Sequence, residues 1–258
     1  MEFDVSLYLC TNMKHGVVYI LLLLFVACTS NPQGFEAEVL LPYTPVKNQG
    51  KLQLCWAYAM LSTIETDLME RGDSARLPVR RLRESLEKET DAPQSMRGMG
   101  ATTLRLIKKY GLYSDVGVGE YVSLTTTKSS PYGDMVMLDV PDNWDHNSFL
   151  NVEPDSLLKM TEQAVRHHYG ICWEGDVSEL GFDWKKGYAV TSWWNGSTTD
   201  DHCMAIVGIA HDEKGEKYFI MKNSWGKKNP YGGLMYLSYG YFLKKTIAVY
   251  MSCEASGL

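Results

Sequence analysis

The sequence predicts an α+β fold of two lobes, helical first and β-rich second, with a cleft between them. Three observations carry this. A long apolar helix pattern begins at Cys55, charged and amphipathic helical stretches follow to about residue 120, and beyond Tyr121 the texture changes to short apolar runs separated by Gly, Asp and Pro. At 258 residues, with 45% hydrophobic and 22% charged side chains, the chain has ample material for one large domain or two lobes sharing a cleft. No internal repeat or low-complexity tract interrupts it.

The elements follow in order. Residues 29–45 have turn formers at both ends and read as a tether with an extended lead-in strand. In CWAYAMLSTIETDLMERG, Trp56, Met60, Ile64 and Leu68 fall on one helical face, and Arg71-Gly72 marks the stop. Residues 76–97 are charged and interrupted by Pro78 and Pro93, which predicts a solvated second helix and a loop. ATTLRLIKKYG is an amphipathic helix closed by Gly111 after the glycine-rich RGMG. In EPDSLLKMTEQAVRHHYG, Pro154 suits a first helical turn. The runs GICWEGDV, YAVTSWW, HCMAIVGIA, KYFIMKNSW and GLMYLSYGYF then read as strands.

The start of the chain has the layout of a processing signal. Lys14 precedes an uncharged, mostly apolar run from Gly16 to Ala27, which falls short of the roughly 20 residues a membrane span needs. FVAC at its end resembles the lipobox of bacterial lipoproteins, which implies lipidation of Cys28 and an exported, membrane-anchored product facing the periplasm or exterior. Glu2 and Asp4 suit a signal poorly, which leaves Met1 and Met13 both as candidate starts. The segments are thus 1–28 signal, 29–44 tether and lead-in strand, 45–120 helical lobe, and 121–258 β-rich lobe.

The formal charge of −6 becomes −5 without residues 1–27, and no basic stripe is evident, which argues against nucleic acid. Outside the signal stand Cys55, Cys172, Cys203 and Cys253, too few for a disulfide scaffold, so free thiols are expected. His167, His168 and Cys172 lack the strong metal-ligand spacings, so no metal and no cofactor are expected.

The chemistry gathers at Cys55. A thiolate is the nucleophilic form, and a helix N-terminus or a histidine lowers a thiol's pKa. His202 stands at the mouth of an apolar strand, and Asn223 at the end of the next, in FIMKNSWG. A cysteine with distant His and Asn is the pattern of an activated thiol.

At these residues the chain resembles the papain family of cysteine peptidases. QGKLQLCWAYA is similar to its Cys block, with Gln49 six positions before Cys55, DHCMAIVGIA to its His block and KNSWG to its Asn block. The likeness runs over roughly residues 43–251. EYVSL, WEGDVSE and KNSWGKKNPYGG look closest to the bleomycin hydrolase and aminopeptidase C branch, whose members are far longer. The resemblance implies a papain-like fold and peptide substrates. It makes Cys55 the nucleophile, His202 the acid–base partner, Asn223 its orienter, and Gln49 with the Cys55 N–H the oxyanion hole. Trp225 would shield the His–Asn bond and Asp201 tune the ion pair. Substrate binding would fall to Gly98 and Gly100 as a β-edge, with Gln53 and Cys203. The C-terminal CEASGL is the candidate for closing one end of the cleft, as in the bleomycin hydrolase branch, and a monomer is expected.

Leu52 and Gln53 depart from the family's usual Cys and Gly. Glycine tolerates backbone geometries that Gln resists. This keeps alternatives open: a degenerate peptide-binding relative, or an acyl-transfer relative without proteolysis.

Overall fold

The computed structural model describes residues 34–73, 76–89, 99–114, 135–140, 151–190 and 202–257, with the backbone alone at 121–122. Cys28, Gly98, Asp201, the end of YAVTSWW and the processing signal lie outside the described residues. Glu36–Leu258 form one compact unit.

In chain order the elements are β1 (Phe35–Leu40), α1 (Cys55–Glu70), α2 (Val79–Glu89), α3 (Gly100–Tyr110), β2 (Leu112–Tyr113), β3 (Tyr121–Val122) and β4 (Met135–Asp139). They continue with α4 (Pro154–Arg166), β5 (Ile171–Gly175), β6 (Phe182–Asp183), β7 (Tyr188–Ala189), β8 (His202–Asp212), β9 (Lys217–Lys222) and β10 (Leu234–Ser238). Last come α5 (Tyr239–Lys245), β11 (Thr246–Ser252) and α6 (Cys253–Ser256). This is the α+β arrangement that the sequence predicts, with helices first and a large sheet second.

The main sheet runs β4-β11-β5-β8-β9-β10-β7-β6, and β1 adds to β8. Strand β8 is the spine, antiparallel to both β5 and β9. Its ladder to β9 shifts between Ile206 and Gly208. A Cβ at Gly208 would lie 2.3 Å from the Val39 carbonyl oxygen, so only glycine lets β1 approach here.

The sequence places an apolar stripe on one face of α1, but the helix is enclosed nearly all round. From Trp56 to Leu68 every residue except Tyr58 is buried. One apolar cluster surrounds it, with Leu82 and Leu86 of α2, Leu106 and Ile107 of α3, and Cys172, Cys203 and Tyr250 of the sheet. A second cluster fills the other side of the sheet, beneath α4 and α5. Enclosure forces the polar residues of α1 to find internal partners, since an unpaired buried polar group costs roughly 1–3 kcal/mol. Glu65, fully buried, is met by Lys47 Nζ at 3.0 Å, the Leu77 N–H at 2.8 Å, the Thr44 hydroxyl and, at 3.8 Å, Lys222 Nζ. Lys222 also donates to Thr44 Oγ1 at 2.7 Å and Ser62 Oγ at 3.0 Å. This cluster ties β9 and the lead-in segment to α1.

Two expectations are corrected. GLMYLSYGYF reads as one strand, but the strand ends at Ser238, whose Oγ accepts the Tyr241 N–H at 3.1 Å and starts α5. Helical spacing there buries Tyr241, Phe242 and Lys245 together, which outweighs the β-favouring composition. The C-terminal segment does not approach Cys55. Glu254 of α6 pairs with Arg71 at 3.3 Å, just past the opposite end of α1, and a helix of that length spans about 24 Å.

Candidate active site

Cys55 opens α1, where Leu54 occupies the capping position without a side-chain hydrogen bond and no acid stands in the first turn. The helix N-terminus is thus left to favour an anion. Trp56 fixes the approach, donating its indole N–H to the Gln53 carbonyl at 3.0 Å. Gln53 itself is exposed and does not take a positive φ; among the described residues His168 is the one non-glycine that does. The loop therefore makes no demand here that glycine alone would meet.

His202 begins β8 and is 2% exposed. Its Nε2 lies 2.9 Å from Asn223 Oδ1. The orientation of that amide is fixed twice over: Oδ1 also accepts the Ser224 N–H at 2.7 Å, and Nδ2 donates to Met235 Sδ at 3.4 Å. Nε2 must then be the donor to Asn223, which leaves Nδ1 for Cys55. Trp225 lies over the imidazole, its ring centroid 4.4 Å away. Phe182 and Trp184 meet Trp225 edge-on, at 6.0 and 5.9 Å, and hold it there.

Gln49 stands beside Ser224. Its backbone N–H donates to the Ser224 carbonyl at 2.8 Å, and its Oε1 accepts the Ser224 hydroxyl at 2.6 Å. Nε2 donates to the Leu52 carbonyl at 2.8 Å, and a primary amide retains a second N–H. Ser224 thus positions Gln49 while its neighbour Asn223 holds His202.

The Cys55 thiol is held down to about 4. The largest cause is a hydrogen bond from the Cys203 thiol; burial opposes it; a hydrogen bond from His202, the imidazole's charge and the Cys203 N–H add to the lowering. Cys203 itself is pushed well above the usual thiol range by its hydrogen bonds to Cys172 and Cys55 and by burial, so it keeps its proton and donates. The arrangement presents a thiolate, an imidazole oriented by an amide, and a carboxamide N–H at one place, which is the equipment for nucleophilic attack on a carbonyl.

Of the residues singled out from the sequence, the structure places Asn223 and Trp225 on His202, Cys55 and Cys203 near it, and Gln49 against Ser224, the neighbour of Asn223. Gly100 is different. It is the first residue of α3, its N–H donates to Glu174 Oε2 at 3.0 Å, and a Cβ there would lie 2.4 Å from the Tyr250 ring. A buried, committed amide cannot add a substrate strand, so the β-edge expected of Gly100 is not formed by it. Ser224, Met235 and Glu65 have no role in the sequence analysis, and Cys172 appears there only as an expected free thiol. Ser224 had a local signal, lying within KNSWG; the others are brought to the site only by the tertiary fold.

The sequence matches the papain family cysteine protease profile over residues 32–254. It is 27% identical over 155 residues to aminopeptidase G of Lactobacillus delbrueckii subsp. lactis, covering 52% of this chain and 35% of the relative. It is 28% identical over 202 residues to the senescence-specific cysteine protease SAG12 of Arabidopsis thaliana, covering 74% and 52%. The chain spans about half or less of the length of these relatives. Among solved structures, PepW from Lactobacillus rhamnosus superposes with a TM-score of 0.62 at 13% identity, covering 85% of this chain and 82% of that one. The bromelain protease of Ananas comosus, in complex with the E64 inhibitor, gives 0.53 at 19%, covering 81% and 94%. These structural likenesses show the two-lobe fold, and aminopeptidase G agrees with the branch suggested by the local motifs.

Proposed function

The chain belongs to the papain family of cysteine proteases, and from that premise we propose that it is a cysteine peptidase hydrolysing peptide bonds through a Cys55 thioester. The observation that carries this reading is the chain of contacts from Cys55 to His202 to Asn223, with the imidazole's Nε2 at 2.9 Å from the amide oxygen. The Cys55 thiolate attacks the scissile carbonyl. The oxyanion that forms takes the free Gln49 N–H and the Cys55 backbone N–H, each such donor being worth about 2.7–4 kcal/mol in the transition state. His202 delivers the proton on Nδ1 to the leaving amine, and the acyl group remains on sulfur. Water then attacks the thioester, with His202 as base, releasing the acid and restoring the thiol–imidazole pair. Trp225 covers the imidazole and keeps water from the His202–Asn223 bond.

The test is a peptide-library digest of wild type against Cys55→Ala, with mapping of an epoxide or haloacetamide adduct. Cleavage that depends on Cys55, with the adduct on Cys55, is the expected result. An unlabelled Cys55 with adducts on Cys172 or Cys203 would sink the reading. Similarity to aminopeptidase G supports an exopeptidase; rates on free against N-blocked peptides test that against an endopeptidase.

Export through the Met13–Cys28 signal and lipidation of Cys28 form part of the same proposal, supported by the apolar run and the FVAC sequence. Metabolic labelling with an alkyne fatty acid should mark the wild type and not Cys28→Ser; equal labelling of both would refute it.

A further inference from the structure

Three thiols share the apolar cluster around α1, two within it and Cys55 packed against it, and the mechanism above uses one. Strands β5 and β8 pair Glu174 with Cys203 and Cys172 with Ala205. Residues two apart on a strand share a face, so Cys172, Glu174 and Cys203 all look out of the sheet toward α1. There Cys172 and Cys203 enter the apolar cluster against which Cys55 packs. Cys203, through its thiol and its N–H, acts on the Cys55 thiol, and Cys172 and Cys55 act on Cys203, which makes the three sulfurs neighbours within that cluster. All three are free thiols. Cys172 and Cys203 are buried, and Cys55 is half-buried, so a solute arriving from the cleft meets Cys55 first.

The sheet decides which pair can bond. Diagonal neighbours on adjacent antiparallel strands stand about 7–8 Å apart, outside the roughly 4.4–6.8 Å Cα span of a disulfide. Ladder hydrogen bonds fix Cys172 and Cys203 at that spacing. Cys55 approaches Cys203 from a helix end, with no ladder holding the two apart.

We propose that Cys203 is a resolving thiol for Cys55: a peroxide converts the nucleophile into an intramolecular Cys55–Cys203 disulfide, which a dithiol reverses. The proposal rests on reading Cys55 as a reactive thiolate. That thiolate attacks one peroxide oxygen; the O–O bond breaks, and the departing alkoxide or hydroxide takes a proton and leaves as alcohol or water. Cys55 becomes a sulfenic acid, its sulfur oxidised by two electrons and the peroxide reduced by two. The Cys203 sulfur then attacks the Cys55 sulfur. An S–S bond forms, the S–O bond breaks, and the Cys203 proton leaves with the hydroxide as water. A dithiol attacks the disulfide and closes on itself, ending as its own disulfide while Cys55 and Cys203 regain their protons. Because Cys203 lies in the cluster against which Cys55 packs, it competes with a second peroxide that would carry the sulfenic acid on to the irreversible sulfinic state.

The full chain is treated with a small excess of hydrogen peroxide, the remaining thiols are alkylated, and the peptides are mapped by mass without reduction. The expected result is one linked peptide pair holding Cys55 and Cys203, with Cys172 and Cys253 alkylated, and a loss of peptidase activity that dithiothreitol restores. In Cys203→Ser the same dose carries Cys55 to sulfinic acid, and dithiothreitol restores none of that variant's own starting activity. Cys172→Ser still forms the link. Sulfinic Cys55 in the wild type, a Cys172–Cys203 link, or an unmodified Cys55 would each overturn the proposal. The linked peptide is read without peptide hydrolysis, so a chain that forms it but cleaves nothing refutes the proposed function and leaves this inference standing. An active chain that passes straight to sulfinic acid does the reverse.

Discussion

The two ends of α1 each hold an acid away from bulk water, and their surroundings drive them in opposite directions. At the first residue Cys55 is held down to about 4, while in the last turn Asp67 is pushed up to about 7. Burial opposes the charged form at both. At Cys55 it is outweighed by the Cys203 thiol, the imidazole and a backbone N–H; at Asp67 it dominates, relieved only by the Gly170 N–H at 2.5 Å and the charge of Arg71, with Glu70 and Glu254 adding repulsion. The helix dipole has the same sense, favouring an anion at the N-terminus and disfavouring one at the C-terminus. The ends differ in shape as well. Asp67 borders a cavity of about 320 Å³ lined by Glu70, Arg71, His167, His168, Tyr169 and Glu254, and α6 lies against it. Burial by itself therefore says little about an acid; the donors aimed at it decide whether it is a charge held ready or a charge avoided.

The contrast can be broken most severely at the imidazole. His202→Ala removes the acid–base partner and should lower kcat/KM by about 10²–10⁴-fold, read with a fluorogenic peptide. Gln49→Ala leaves the thiolate intact and removes one oxyanion donor; kcat should fall by about 10²–10³-fold while Cys55 alkylation is unchanged. At the other end, a carboxyl whose folded pKa is raised contributes its stability below the unfolded value, near 3.8, and loses it as pH climbs through about 7. Asp67→Asn keeps an oxygen for the Gly170 N–H and removes the charge, so it should flatten that decline. Above pH 7 it should gain on the order of 4 kcal/mol over wild type by denaturant unfolding. Equal pH profiles for the two proteins would show that Asp67 is not the cause. The smallest effect sharpens the first end. The wild-type thiolate should persist at about pH 6, where an ordinary thiol near 8.5 is silent. In Cys203→Ala the midpoint of the iodoacetamide rate profile should rise by about one unit, a tenfold loss of thiolate in the acid limb.

Much of this was legible before any coordinates. Cys55 at a helix start, His202 opening a strand and Asn223 closing the next are local patterns, and the elements that carry them lie where the spacing puts them. Local preference and packing disagree at three places. YGYF favours a strand by composition but turns into α5, because Ser238 caps it and its apolar residues meet the core only at helical spacing. Gly100 has the company of an exposed edge, yet Glu174, distant in sequence, takes its amide. Gln53 looks like an obstacle beside Cys55, but nothing in a single letter tells that its φ is ordinary.

What the sequence determined by itself is which groups can react and which segment carries each, since helix starts, strand periods and motif spacings are written over a few neighbouring residues. The tertiary structure alone decided what surrounds them: Cys203 and Cys172 behind the nucleophile, Glu65 against Lys222, and the C-terminal helix at Arg71 instead of at the cleft. Those relations depend on sheet register and on how a helix is enclosed, and both are set by summed contacts between residues far apart in the chain.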